Sequence, residues 1–109
     1  MPERIQRRRV RGWRLPANAT IVDRTSRWGN PFRVSDLTAW GVPAGRARAE
    51  AVKRFGDWLD GTDWHDVEEG RRMFILNNIH ELAGRDLACT CPLDELPCHA
   101  NEYLRRANP

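Results

Sequence analysis

From residue 45 onward, apolar side chains recur at helical intervals. Ala47, Ala51, Phe55 and Leu59 fall on one stripe, which Val52 and Trp58 widen, while Arg46, Arg48, Lys53, Arg54 and Asp57 lie off it. The spacing predicts an amphipathic helix over 45–60, closed by Gly61, whose role is burial and not chemistry. A second helix is expected over 67–83, with Met73, Leu76, Ile79 and Leu82 as its stripe and Phe74 and Ile75 beside it. Asp63 or Asp66 would cap this helix and Gly84 would stop it. Elsewhere the period shortens. Ala19-Thr20-Ile21-Val22 is rich in β-branched residues and apolar on both faces, which reads as a central strand. Leu87-Ala88-Cys89 reads as a second strand, and 5–14 alternates loosely enough for an edge strand or a flexible arm. Ser35, Asp36 and Trp40 fall in a turn or a single helical turn before the break at Gly41-Val42-Pro43. A last helix from His99 to Ala107 turns Tyr103, Leu104 and Ala107 inward, with Arg105 and Arg106 complementing its C-terminal dipole. The fold class that follows is α/β: a small single-domain sheet of three or more strands flanked by about three helices. The domain would span 17–109, preceded by a basic arm or edge strand at 1–16.

Composition narrows this further. A chain of 109 residues can bury one core without staples, and 40% apolar with 30% charged residues suits a soluble globular domain. No run approaches the ~20 apolar residues of a membrane span and no apolar signal core follows Met1, so a cytoplasmic location without a membrane partner is expected. Three cysteines cannot all pair within one chain, and Cys89 and Cys91 sit too close along a strand to bridge each other. Free thiols or metal-bound thiolates fit better. The net charge of +3 is uneven: residues 1–14 hold six arginines against Glu3, a balance of +5, which leaves −2 for the rest. Arg7, Arg8, Arg9 and Arg11 in this arm suit a nucleic-acid backbone, or are a solvated strand in a chain that prefers arginine to lysine.

Two stretches carry candidate chemistry. In Asp23–Phe32 (D-R-T-S-R-W-G-N-P-F), Gly29-Asn30-Pro31 forces a sharp loop at the end of an apolar strand. Ligands collect at such strand ends in α/β sheets. Arg24 and Arg27 beside Trp28 and Phe32 could hold a phosphate while a ring stacks, or the aromatics could simply tuck the loop onto the core. The second stretch, Asp86–Leu104, gathers Cys89, Cys91, Cys98 and His99 at a strand–loop–helix junction. Three readings stay open. Three thiols and an imidazole have the ligand count of a structural zinc site, although the C-x-C…C-H spacing is unusual, strand residues i and i+2 lie ~6.6 Å apart, and adjacent Cys98 and His99 should diverge on a helical turn. Alternatively, Cys98 at a helix N-terminus beside His99 would have a depressed pKa and act as a nucleophile, with Asp94 or His99 for acid/base work. In the third reading the cysteines are small core residues and Cys98-His99 caps the helix.

The segments R-T-S-R-W-G-N-P-F and G-R-D-L-A-C-T-C-P-L-D-E-L-P-C-H-A-N-E-Y-L together resemble the phage and bacterial domain-of-unknown-function family 4326. The resemblance covers about Ala17 to Asn108 and implies which positions matter rather than an activity. Those positions are Arg24, Arg27 and Trp28 through Phe32 in the first segment, and Cys89, Cys91, Pro92, Asp94, Pro97, Cys98 and His99 in the second. Thr90 stands where the family often has Trp, and Asn101 where it often has Asp. The expected function is a small phage or bacterial domain that binds a nucleotide or nucleoside derivative. Its pocket would be formed by Arg24, Arg27, Trp28, Gly29, Asn30 and Phe32 together with the cysteine unit, and hydrolase or transferase chemistry would be compatible with it. The rival is a nucleic-acid-binding accessory or host-interaction protein that uses the arginine-rich N-terminus, acts in the host cytoplasm if phage-encoded, and has Cys89, Cys91, Cys98 and His99 as a structural zinc site.

Overall fold

A computed structural model describes residues 2–91, 93 and 98–109. Among these, the chain runs β1 (Arg4–Gln6), β2 (Ala19–Ile21), α1 (Val34–Ala39), α2 (Ala44–Asp60), α3 (Glu69–Asn78), a 3-10 turn (Ile79–Leu82), β3 (Asp86–Cys89) and α4 (His99–Ala107). It is a small α/β domain: one three-stranded sheet, order β1-β3-β2, with both pairings parallel.

The central strand is β3 and not β2. Leu87, Ala88 and Cys89 are all buried, as a strand covered on both faces requires, whereas Thr20 and Ile21 stay half-buried on the edge. β-Branching alone marks β2 as a strand without saying where it sits. The basic segment supplies the other edge: Arg4, Ile5 and Gln6 pair with Leu87, Ala88 and Cys89.

Helix α2 buries Ala47, Ala51, Phe55, Trp58 and Leu59 along the expected stripe, and Gly61 ends it in a left-handed conformation (φ 75°) that lets the chain turn away. Helix α4 packs on β3, β1 and α2. Phe55, Trp58 and Tyr103 form the centre of the core, with Phe55 and Tyr103 ring centroids 5.2 Å apart and nearly perpendicular. The second helix departs from expectation. It stops at Asn78 and tightens into the 3-10 turn, so a stripe drawn at one period across 67–83 loses register. Ile75 and Leu82 are buried, while Met73 and Leu76 face solvent. Neither Asp63 nor Asp66 caps it: the N-cap is Glu68, without a side-chain hydrogen bond, and Asp63 accepts from the Trp64 N–H instead. Among the described residues, no helix is long and apolar enough to cross a membrane.

Candidate metal centre

Parallel pairing brings the carboxyl ends of all three strands to one edge. The ladder continues past the strands: Val22 N–H donates to the Ala88 carbonyl (2.8 Å) and Arg7 N–H to the Cys89 carbonyl (2.7 Å). Asp23 and Arg7 therefore leave the outer strands on either side of β3, and their side chains pair, Arg7 Nη1 to Asp23 Oδ2 at 3.0 Å. The same guanidinium donates to Thr25 Oγ1 (2.9 Å), while Thr25 donates to Asp23 through both its N–H (2.9 Å) and its hydroxyl. Burial alone would raise the Asp23 pKa. The Thr25 bonds and the Arg7 charge outweigh it and hold the carboxyl below its ordinary value.

The end of β3 also carries a buried cluster of soft donors. The ligand atoms of Cys89, Cys98 and His99 all lie within 4.8 Å of one another, a group that could hold a metal ion. Cys98 Sγ is 3.8 Å from His99 Nδ1, and Cys91 Sγ is 3.7 Å from Cys89 Sγ. Both geometric objections raised by the sequence fall away. Strand β3 ends at Cys89, so the ~6.6 Å repeat of a strand does not apply to Cys91. Cys98 is the N-cap of α4 with extended backbone (φ −135°, ψ 149°), so its side chain does not diverge from that of His99 as two helical neighbours would. Nε2 of His99 lies 2.6 Å from the Val22 carbonyl, which can only accept. That fixes the proton on Nε2 and leaves the Nδ1 lone pair facing the sulfurs. Burial lowers the His99 pKa, so the ring is neutral.

The depressed pKa expected for Cys98 is found elsewhere. Its hydrogen bond with Cys89 pulls the Cys98 thiol down, but Cys91 and burial outweigh it and the net shift is upward. No imidazolium stands beside it to favour a thiolate. Cys91 is the thiol pushed down, first by hydrogen bonds from Cys89 and Cys98, while Cys89 is pushed up by sharing its proton with Cys91. Asp94 lies outside the described residues, as do Pro92 and Pro97.

The cluster forms one wall of a cavity of ≈ 230 Å³. Arg24, Asn30 and Phe32 of the loop line it together with Cys89, Cys91, Cys98 and His99. Arg27, Trp28 and Gly29 do not. The Trp28 ring is buried against Phe74 (5.1 Å) and Tyr103 (5.6 Å), and Arg27 stacks over Phe74 at 3.9 Å. Gly29 is a packing glycine: a Cβ there would lie 2.7 Å from the Arg24 Cα. Of the arm, Arg7 pairs with Asp23, and Arg8, Arg9 and Arg11 are exposed.

Two cationic residues of the cavity, Arg33 and Arg48, escaped the sequence reading. Arg48 lies one helical turn before Ala51 and Val52, which also line the cavity, so α2 does more than bury apolar surface. Thr90 lines the cavity as well, whereas Asn101 is exposed on α4.

The protein is thus a small parallel α/β domain whose strand ends meet an arginine-lined cavity and a buried Cys/His group that could hold a metal ion. The chain belongs to the family described as Domain of unknown function (DUF4326), whose model matches residues 5–109. No curated protein and no solved structure gives a significant match.

Proposed function

We propose that this domain binds a phosphate-bearing ligand of the nucleotide class in the strand-end cavity, and that the Cys/His group in the cavity wall is a zinc site. One observation carries the reading: Arg24, Arg33 and Arg48 line the same cavity as Cys89, Cys91, Cys98 and His99. The exposed guanidiniums of Arg24 and Arg33 favour an anion, and among the described lining residues Asn30, Ser35 and Thr90 add uncharged hydrogen-bonding groups. Size limits the occupant. At ≈ 230 Å³ the cavity falls below the ~300 Å³ at which pockets for drug-sized ligands begin, so it suits a phosphate with its sugar, the base lying outside.

The zinc reading rests on the donor set and its spacing. Zinc bonds of about 2.3 Å to sulfur and about 2.0 Å to nitrogen, at tetrahedral angles, put ligand atoms about 3.5–3.8 Å apart. The observed separations are 3.7 Å for Cys89–Cys91 and 3.8 Å for Cys98–His99. A hydrogen-bonded thiol pair has similar spacing, so the argument lies in several donors converging on one point with the imidazole lone pair aimed at them. The same geometry weighs against His99 as an acid/base group, because one ring nitrogen serves Val22 and the other faces sulfur.

The test is metal analysis of the purified chain together with calorimetry using inorganic phosphate and nucleoside monophosphates. About one equivalent of zinc is expected, with nucleotide affinity at least tenfold weaker in Arg24→Ala, whose exposed side chain leaves the melting temperature unchanged. Absence of zinc removes the metal reading, and absence of binding heat removes the anion reading. The exposed Arg8, Arg9 and Arg11 favour a second reading, in which the arm contacts a nucleic-acid backbone. Salt-sensitive DNA or RNA binding that disappears when all three are replaced by Ala, with nucleotide binding absent, would put it first.

A further inference from the structure

The four soft donors are not equivalent. Cys89, Cys98 and His99 are 2%, 1% and 7% exposed and form the mutually close group, whereas Cys91 is half-buried and outside that group. Cys89 closes the central strand, Cys98 caps α4, and His99 is fixed from behind by the Val22 carbonyl. Cys91 belongs to no strand or helix. It lies beyond the end of β3 and lines the cavity beside Arg24, Arg33 and Arg48.

We infer that a metal here is held by a fixed Cys89–Cys98–His99 core, and that its fourth position opens onto the cavity, where Cys91 and an oxygen of the bound anion compete for it. The inference rests on the proposed zinc and anion sites and says how they are joined. Two thiolates and an imidazole leave a zinc ion one position short of tetrahedral, the arrangement of zinc sites that accept an exogenous ligand. The exposed cavity arginines Arg24 and Arg33 would orient a phosphate with one oxygen toward that position, since an anion held by guanidiniums keeps an oxygen free for a cation. In the exchange the metal–sulfur bond to Cys91 breaks, its electron pair leaves with the sulfur, and a metal–oxygen bond forms to the phosphate. No electron is transferred, and the metal keeps its oxidation state. The displaced thiolate remains in the cavity that Arg48 also lines.

The probe is cobalt(II) loaded into the full chain in place of zinc, titrated with inorganic phosphate and separately with AMP. In the unmodified protein, anion addition should shift the visible ligand-field bands and remove about one third of the thiolate-to-cobalt absorption, as three sulfur ligands become two. Cys91→Ala should still take up one equivalent of cobalt, start at the two-thirds absorption, and respond to phosphate at lower concentration. Cys98→Ala should lose the metal. Should Cys91→Ala fail to fold, the loss of thiolate absorption in the unmodified chain decides alone. The inference is overturned if folded Cys91→Ala binds no cobalt, which would mean a closed four-ligand shell. It is equally overturned if neither anion alters the spectrum of either protein. Nucleotide binding by calorimetry with an unchanged spectrum would keep the cavity reading and discard this one. A chain that takes up no metal at all removes both the zinc site and this inference.

Discussion

The two motif-bearing segments meet at one cavity but are held in opposite ways. The Asp23–Phe32 loop is fastened by the rest of the fold. Arg71 Nη1 donates to the carbonyls of Ser26, Arg27 and Gly29 (3.2–3.3 Å), and the Tyr103 hydroxyl donates to that of Trp28 (2.7 Å). Asn30 ties the loop to the Ala51 carbonyl of α2 (3.1 Å), and Phe32 lies edge-on to Trp58 and Trp64. In the Cys/His group the side chains face one another, and among the described residues His99 adds a side-chain bond that reaches away from the cluster, to the Val22 carbonyl. Residue types that look like ligand binders, Trp28 and Arg27, are occupied by packing. Thiols that look like core filler are turned toward a common point. A donor whose partners are other donors of the same kind says more about chemistry than an unusual tryptophan does.

The contrast makes graded predictions. Stripping the metal with a chelator should have the largest effect. A loss on the order of 5 kcal/mol is expected, less than the ~10–16 kcal/mol of zinc-finger peptides because the aromatic core remains. Chemical denaturation with and without chelator measures it, and a metal-free chain of unchanged stability would break the comparison. Next comes Trp28→Ala, which should cost about 4 kcal/mol from the cavity left between Phe74 and Tyr103, while folded protein keeps its metal stoichiometry. Gly29→Ala should cost about 2 kcal/mol, because the added methyl meets Arg24 backbone and not a yielding side chain. If either loop variant released the metal while still folded, the two regions would be one unit.

The smallest effect belongs to the clasp that ties the Asp23–Phe32 loop to the end of β1. The Asp23 carboxyl is held below its ordinary value of 3.8 in the folded state. Its contribution is therefore fully present above that pH and is lost as pH falls through the lower folded value. Asp23→Asn should be about 2 kcal/mol less stable than the parent at neutral pH, a gap that narrows as the pH falls below the ordinary carboxylate value and Asp23 becomes protonated. Melting curves across pH 2–7 would show it, and a constant gap would mean the clasp acts by shape and not by charge.

Much of this architecture was legible one segment at a time. The stripe on α2, the start of α4 at His99 and the strand Leu87–Cys89 follow from local periodicity, and the structure has them at those residues. What local pattern does not carry is arrangement. That Ala19–Ile21 takes an edge depends on a strand lying more than sixty residues downstream. Arg48 reads as a solvated helix residue until α2 is laid across the strand ends, and the partner that orients His99 is a main-chain carbonyl, invisible in any side-chain motif. The spacing argument against a shared metal failed for a related reason: it assumed regular strand and helix geometry at Cys91 and Cys98, where the chain is in neither.

The order of the sheet sets a schedule for the nascent polypeptide. β1 and β2 are made before β3, yet neither hydrogen-bonds to the other, and both wait for a strand that ends at residue 89. The strand-end cavity lacks the wall formed by Cys89, Thr90 and Cys91 until that partner pairs between the first two. Assembly of the sheet is thus deferred until β3 is available, and refolding should be slower than for a helical bundle of the same length, because its pairings join residues more than sixty positions apart.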